Sequence, residues 1–167
     1  ATWAKLAMMS KSPVQARRAA EPAIAFDPAA RRLWMCWTEP SGGRDAVLLR
    51  SFSTSDGSGG EPIVLSHAGE DVIAAYDTDL VVAGSHLIVT WAQRERDGWA
   101  ILARRVDAAT GALGEIERLA SGAGLHAHPT IAAAGERVLV AWQMAAASGR
   151  GEYMIQRAEL NDAGRPL

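Results

Sequence analysis

Cysteine is almost missing: Cys36 is the only one in 167 residues, so an intrachain disulfide is excluded. It sits in the apolar run 33–37 with no basic neighbour to lower its pKa, and it reads as a buried thiol acting as a small hydrophobe. Long hydrophobic runs are missing too. Hydrophobic residues make up 49% of the chain, yet no stretch approaches the roughly 20 apolar residues of a membrane-crossing helix, and no membrane span is expected. A dominant charge is also lacking. Lys and Arg number 17 against 19 Asp and Glu, for a net charge of −2. That balance argues against nucleic acid as a partner, because nucleic-acid binders carry a basic excess. No leader segment is evident, and the chain begins at Ala1 rather than Met, which fits removal of an earlier segment. The compartment stays open, a secreted or periplasmic one being compatible with these features.

What is present is a repeat. Three segments align: 21–66, 77–119 and 128–167. Each opens on a short strand pattern, continues into an apolar run ending in tryptophan (Trp37, Trp91, Trp142), reaches an apolar stretch ending in arginine (Arg50, Arg104, Arg157), and then meets a glycine. The tryptophans lie 54 and 51 residues apart. From Trp to Arg is 13 residues in the first two copies and 15 in the third, which fits a longer loop over 144–152. Agreement of order, spacing and residue type in three copies is a repeat-architecture signal.

Each copy reads as four short strands. The runs 33–37, 87–91 and 138–142 are too short for helices and suit strands covered on both faces. Gly, Asp and Ser mark the turns at 41–43, 97–98, 110–111, 148–149 and 162–164. A helical pattern survives only over 3–20. Four antiparallel strands in about fifty residues make one blade of a β-propeller. The expected fold is therefore all-β, with three blades forming half of a six-bladed ring. Residues 1–20 are an N-terminal strand or linker, 21–74 the first blade, 75–126 the second, and 127–167 a third blade lacking most of its fourth strand. Residues 2–10 resemble a fourth strand that closes another blade. Because three blades do not close a ring, the chain is expected to be part of a longer propeller or to form a homodimer. The repeated Trp is expected to fill the wedge between blades.

The pattern Pro-x-Ile-Ala, apolar-Trp, apolar-Arg, Gly over 21–167 resembles the repeats of sialidase-like propellers of the bacterial neuraminidase type. The resemblance implies an Asp-box turn between strands three and four. Residues 53–58 match it in degenerate form, and 107–111 and 161–164 keep only the turn. It also implies three substrate-clamping arginines and a Tyr–Glu nucleophile, and no such set is found. Glu152 and Tyr153 are adjacent and point to opposite faces of a strand. Arg50, Arg104 and Arg157 recur by symmetry, as a structural residue does.

Function is sought where copies differ on a common framework. The first strand lies innermost, so its start rings the mouth of the axial channel. The residues there are Glu21, Asp77 and His128, with Tyr76 and His126 beside them. Glu39, Gln93 and Gln143 follow the repeated Trp, and Trp99 sits on a rim loop. These nine are the candidate ligand-binding residues, and Glu21 and Asp77 are the candidate catalytic pair of glycosidase type. His126 and His128 are two residues apart, as on one face of a strand, but no third ligand completes a metal site. No cofactor is expected. The function expected first is a binding or scaffold module for glycan or protein, using loops 40–46, 94–99 and 144–152. The alternative is a piece of a propeller glycoside hydrolase.

Overall fold

The computed structural model describes residues 20–41, 44–66, 71–135, 137–146, 152–161 and 164–167. The strand or helix read over 2–20 and most of loop 144–152 lie outside them. The described residues form eleven strands and no helix. The first sheet holds β1 (Ala20–Asp27), β2 (Arg32–Ser41), β3 (Arg44–Ser53) and the short β4 (Ile63–Val64); the second holds β5 (Val72–Ala83), β6 (His86–Glu95), β7 (Gly98–Asp107) and β8 (Leu113–Gly122). The third holds β9 (Leu125–Ala134), β10 (Arg137–Ala145) and β11 (Tyr153–Leu160). Within each sheet, strands adjacent in sequence pair antiparallel. A lone bridge from Leu160 to Pro166 is the start of a fourth strand in the third sheet. These are blades of a β-propeller, with β1, β5 and β9 innermost and packed side by side.

Turn chemistry repeats with the blades. The link between third and fourth strands closes on a left-handed glycine each time: Gly57, Gly111 and Gly164, at φ of 72°, 75° and 76°. Asp107 accepts from the Ala109 and Thr110 amides, and Asn161 from the Arg165 amide, holding their turns with the side chain. The repeated arginine is structural in two blades. Arg50 donates to the Gly60 carbonyl at 2.7 Å and Arg104 to the Gly114 carbonyl at 2.8 Å, tying the third strand to the approach of the fourth.

The repeated tryptophans are all buried, at 3%, 0% and 4% exposure for Trp37, Trp91 and Trp142. Trp91 packs with Trp34, Cys36, Val47 and Leu49 of the first blade, and Trp142 joins Ile88, Ile101 and Ala103 of the second. Trp37 meets Ala46, Leu48 and Met35 of its own blade. Every tryptophan thus turns to the same side of its blade. Burial in this core pushes the Cys36 thiol up to about 11.

Coverage of the apolar runs depends on position. In β6, Leu87 through Gln93 are buried without a break, because the second blade is sandwiched between two others. In β10 the pattern alternates, with Val138 and Val140 buried and Leu139 exposed. The run 138–142 was expected to be covered on both faces and is covered on one. Ile24 and Phe26 lie similarly open on β1.

Candidate functional site

Each innermost strand carries the same irregularity. Glu21 and Pro22 face Trp37 alone; Asp77 and Thr78 face Trp91; His128 and Pro129 face Trp142. This two-against-one count is a β-bulge, a device that re-aims side chains at rims and sites. Glu21, Asp77 and His128 hold the left-handed conformation there, at φ of 56°, 52° and 51°. None is glycine, so each carries a cost of about 1–2 kcal/mol that surrounding contacts must offset. Proline fits the second bulge position because no ladder donor is needed.

The offsetting contacts run from blade to blade. Glu21 Oε2 accepts a short hydrogen bond from the Asp77 amide. Asp77 Oδ2 accepts from the His128 amide at 2.9 Å and lies 3.1 Å from His128 Nδ1. Thr78 Oγ1 donates to the Glu21 carbonyl at 2.7 Å, and Asp79 Oδ2 accepts from the Ile131 amide at 3.0 Å. The side chains of Glu21 and Asp77 therefore each capture the amide at the same position in the next blade. Glu21, Asp77 and His128 are brought together in one row, as their places in the repeat imply.

Burial raises the Glu21 carboxyl above the ordinary glutamate value of 4.5. The like charge of Asp77 and a side-chain hydrogen bond to it raise it further; the Asp77 amide and Thr38 hydroxyl pull the other way. Because the folded-state pKa is raised, the stabilising contribution of Glu21 is complete below the unfolded value and is lost as pH rises through the folded value. Carbon-13 NMR should place the Glu21 titration above 4.5, and Asp77→Asn should bring it down by removing the negative neighbour. A Glu21 midpoint at or below the ordinary value would refute this electrostatic account.

The two histidines part company. His126 is buried, at 7% exposure, while the His128 side chain is 68% exposed. The expectation of one shared face fails because the left-handed residue at 128 interrupts the strand's alternation. Burial lowers the His126 pKa, and its Nδ1 has no hydrogen-bond partner among the described residues. No group of three or more His, Cys, Asp or Glu among the described residues is placed to hold a metal.

Two residues expected at the ligand cap buried indoles instead. Trp37 Nε1 donates to Glu39 at 2.8 Å and Trp91 Nε1 to Gln93 at 3.3 Å. Gln143 is half-buried opposite Ala127, and Trp142 donates to Gln156. Gln156 was missed; it lies directly across the ladder from Trp142, a pairing that needs the register of β10 on β11. Tyr76 and Trp99 meet with ring centroids 5.8 Å apart.

A cavity of about 540 Å³ opens on the second blade beside Gln93, Glu95, Arg104 and Arg118. Its arginines are engaged: Arg118 is bidentate to Glu95, and Arg104 donates to the Leu65 and Gly114 carbonyls.

No family model matches the chain, and no curated protein matches it. Solved structures do. The α-L-arabinanase of Penicillium chrysogenum complexed with arabinobiose is similar at a TM-score of 0.62 and 9% identity, over 91% of this chain and 50% of that one. An exo-1,5-α-L-arabinanase from a bovine ruminal metagenomic library gives 0.60 and 14%, over 99% and 62%. The α-L-arabinofuranosidase of Lactobacillus brevis gives 0.58 and 13%, over 93% and 57%. The chain thus spans half to three fifths of the length of these structures. The sialidase-type resemblance is corrected accordingly: the repeat pattern tracks blade architecture and not that family. What the likeness shows is the fold, three consecutive blades of a β-propeller of the kind found in glycoside hydrolases.

Proposed function

We propose that this chain is part of a propeller glycoside hydrolase, with the sugar at the axial mouth where β1, β5 and β9 begin. The observation that carries the reading is the Glu21–Asp77 pair. A partly buried carboxyl, raised above its usual value, stands beside a second carboxyl that is bridged to a histidine. Burial and a neighbouring carboxyl are how a site raises one carboxyl toward the role of an acid. Glu21 is then the proton donor to the leaving oxygen, and Asp77 sets its proton affinity and orientation. Asp77 is not the second catalytic group. It touches Glu21, whereas hydrolysis needs carboxyls about 5–5.5 Å apart for retention and more for inversion. The sugar class follows the structural relatives, whose names specify arabinan and arabinofuranoside. The open faces of the first and third blades pack on further blades, from the same polypeptide or from a second copy in a homodimer.

A second reading, a glycan- or protein-binding module without catalysis, is favoured by one contact: Glu21 already spends an oxygen on the Asp77 amide. Calorimetric titration with linear arabino-oligosaccharides, xylo-oligosaccharides and a sialoside tests the sugar site, and reducing-sugar release from the ligand that binds separates the two readings. The arabino-oligosaccharide should bind, and Glu21→Gln should weaken it about tenfold or more, as loss of a charged hydrogen bond does. Absence of binding to every sugar would defeat the hydrolase reading.

A further inference from the structure

We infer that Trp99 and Tyr76 form a second sugar subsite, radial to the mouth, so that the protein takes an extended neutral oligosaccharide rather than a single terminal sugar. This rests on the mouth being a carbohydrate site. Tyr76 directly precedes Asp77, so the aromatic platform begins one residue from the acidic row. Register carries it outward along one rim: Ala74 pairs with Arg94, and Arg94 with Trp99. Both rings are partly exposed and packed on each other. The Arg94 guanidinium lies 5.8 Å from the Trp99 ring, within reach of hydroxyls on a sugar seated there.

The platform is fixed in place. At Gly98 an added Cβ would fall 2.1 Å from the Gly122 carbonyl oxygen, so the β6–β7 turn and the end of β8 are in contact through bare backbone. A recess of about 250 Å³ opens at the same turn, lined by Trp99 together with Glu95, Asp97, Arg118 and Ser121. Donors and acceptors of both signs are present. Arg118 is bound by both oxygens of Glu95, leaving no cationic excess to draw an acidic sugar or a phosphate. An aromatic pair with an arginine beside it, on a rim without cationic excess, suits a neutral, hydroxylated ring that is apolar on its face and polar at its edge.

The test is chain-length dependence, with arabinobiose and arabinohexaose as probes. Wild type should bind the hexasaccharide about tenfold more tightly than the disaccharide, the scale of one aromatic contact. Trp99→Ala should remove that advantage and leave disaccharide affinity unchanged, and Trp99→Phe should restore most of it. In Glu21→Gln, which disables the mouth, arabinohexaose should still shift the Trp99 indole NMR signal. A silent Trp99 signal, or a Trp99→Ala protein with full length dependence, overturns the subsite. A Trp99 shift with no disaccharide binding in wild type overturns the mouth and leaves the subsite standing.

Discussion

Trp91→Ala is expected to lower the stability of the chain by about 3–5 kcal/mol, the range for removing a large buried aromatic. Trp91 is 0% exposed and is the largest side chain buried so completely. It fills the space between the first two blades, where Cys36, Val47, Leu49 and Leu102 converge. Strands pinned by their ladders do not collapse into the void, so the cavity persists and its cost adds to the lost burial. The Gln93 side chain also loses its indole donor. Against a total of about 5–15 kcal/mol for a typical domain, this is a large share. Trp37→Ala should cost less, because among the described residues its cluster holds Ala46, Leu48 and Met35 alone. Urea titration followed by far-UV circular dichroism gives both values. A Trp91→Ala loss below about 1 kcal/mol would refute the wedge role, since surface changes lie within half that.

Position 77 should show the second large effect, and the order within a series is the sharper result. Asp77→Ala removes the acceptor for the His128 amide while keeping a Cβ in the left-handed region, and should cost about 1–2 kcal/mol. Asp77→Gly loses the same acceptor but relieves the backbone, and should cost about 1 kcal/mol less than alanine. Asp77→Asn keeps an acceptor oxygen on a residue that tolerates this conformation, and should be the mildest. Glycine proving worse than alanine would contradict the backbone account. Equal losses in all three would contradict the blade-to-blade hydrogen bond.

The repeat was legible because its markers are packing residues. Tryptophan, the apolar run and the glycine each do one job per blade, so spacing alone located the three sheets. The indole caps were partly legible as well: Glu39 and Gln93 sit two residues after a Trp, hence on its face of the strand and within reach of its Nε1. The bulge was hidden. No glycine marks 21, 77 or 128, and the contacts that hold a positive φ there reach across to a neighbouring blade. The same hidden turn undid the shared face of His126 and His128. Family resemblance misled for a related reason. A Trp-and-Arg blade pattern serves the wedge and the Arg50 and Arg104 ties, and those needs are common to propellers of different chemistry.

The shared orientation of the tryptophans has a consequence for biosynthesis. Trp91 and Trp142 each insert into a wedge whose other wall was translated earlier. As the chain leaves the ribosome from its N-terminus, at about 5–20 residues per second, each of these indoles emerges to find its socket already made. The reverse orientation would leave every one waiting in water for a blade still to be synthesised. A ring assembled in this sense grows by adding finished walls, and the repeated indoles of the second and third blades are covered almost as soon as they appear.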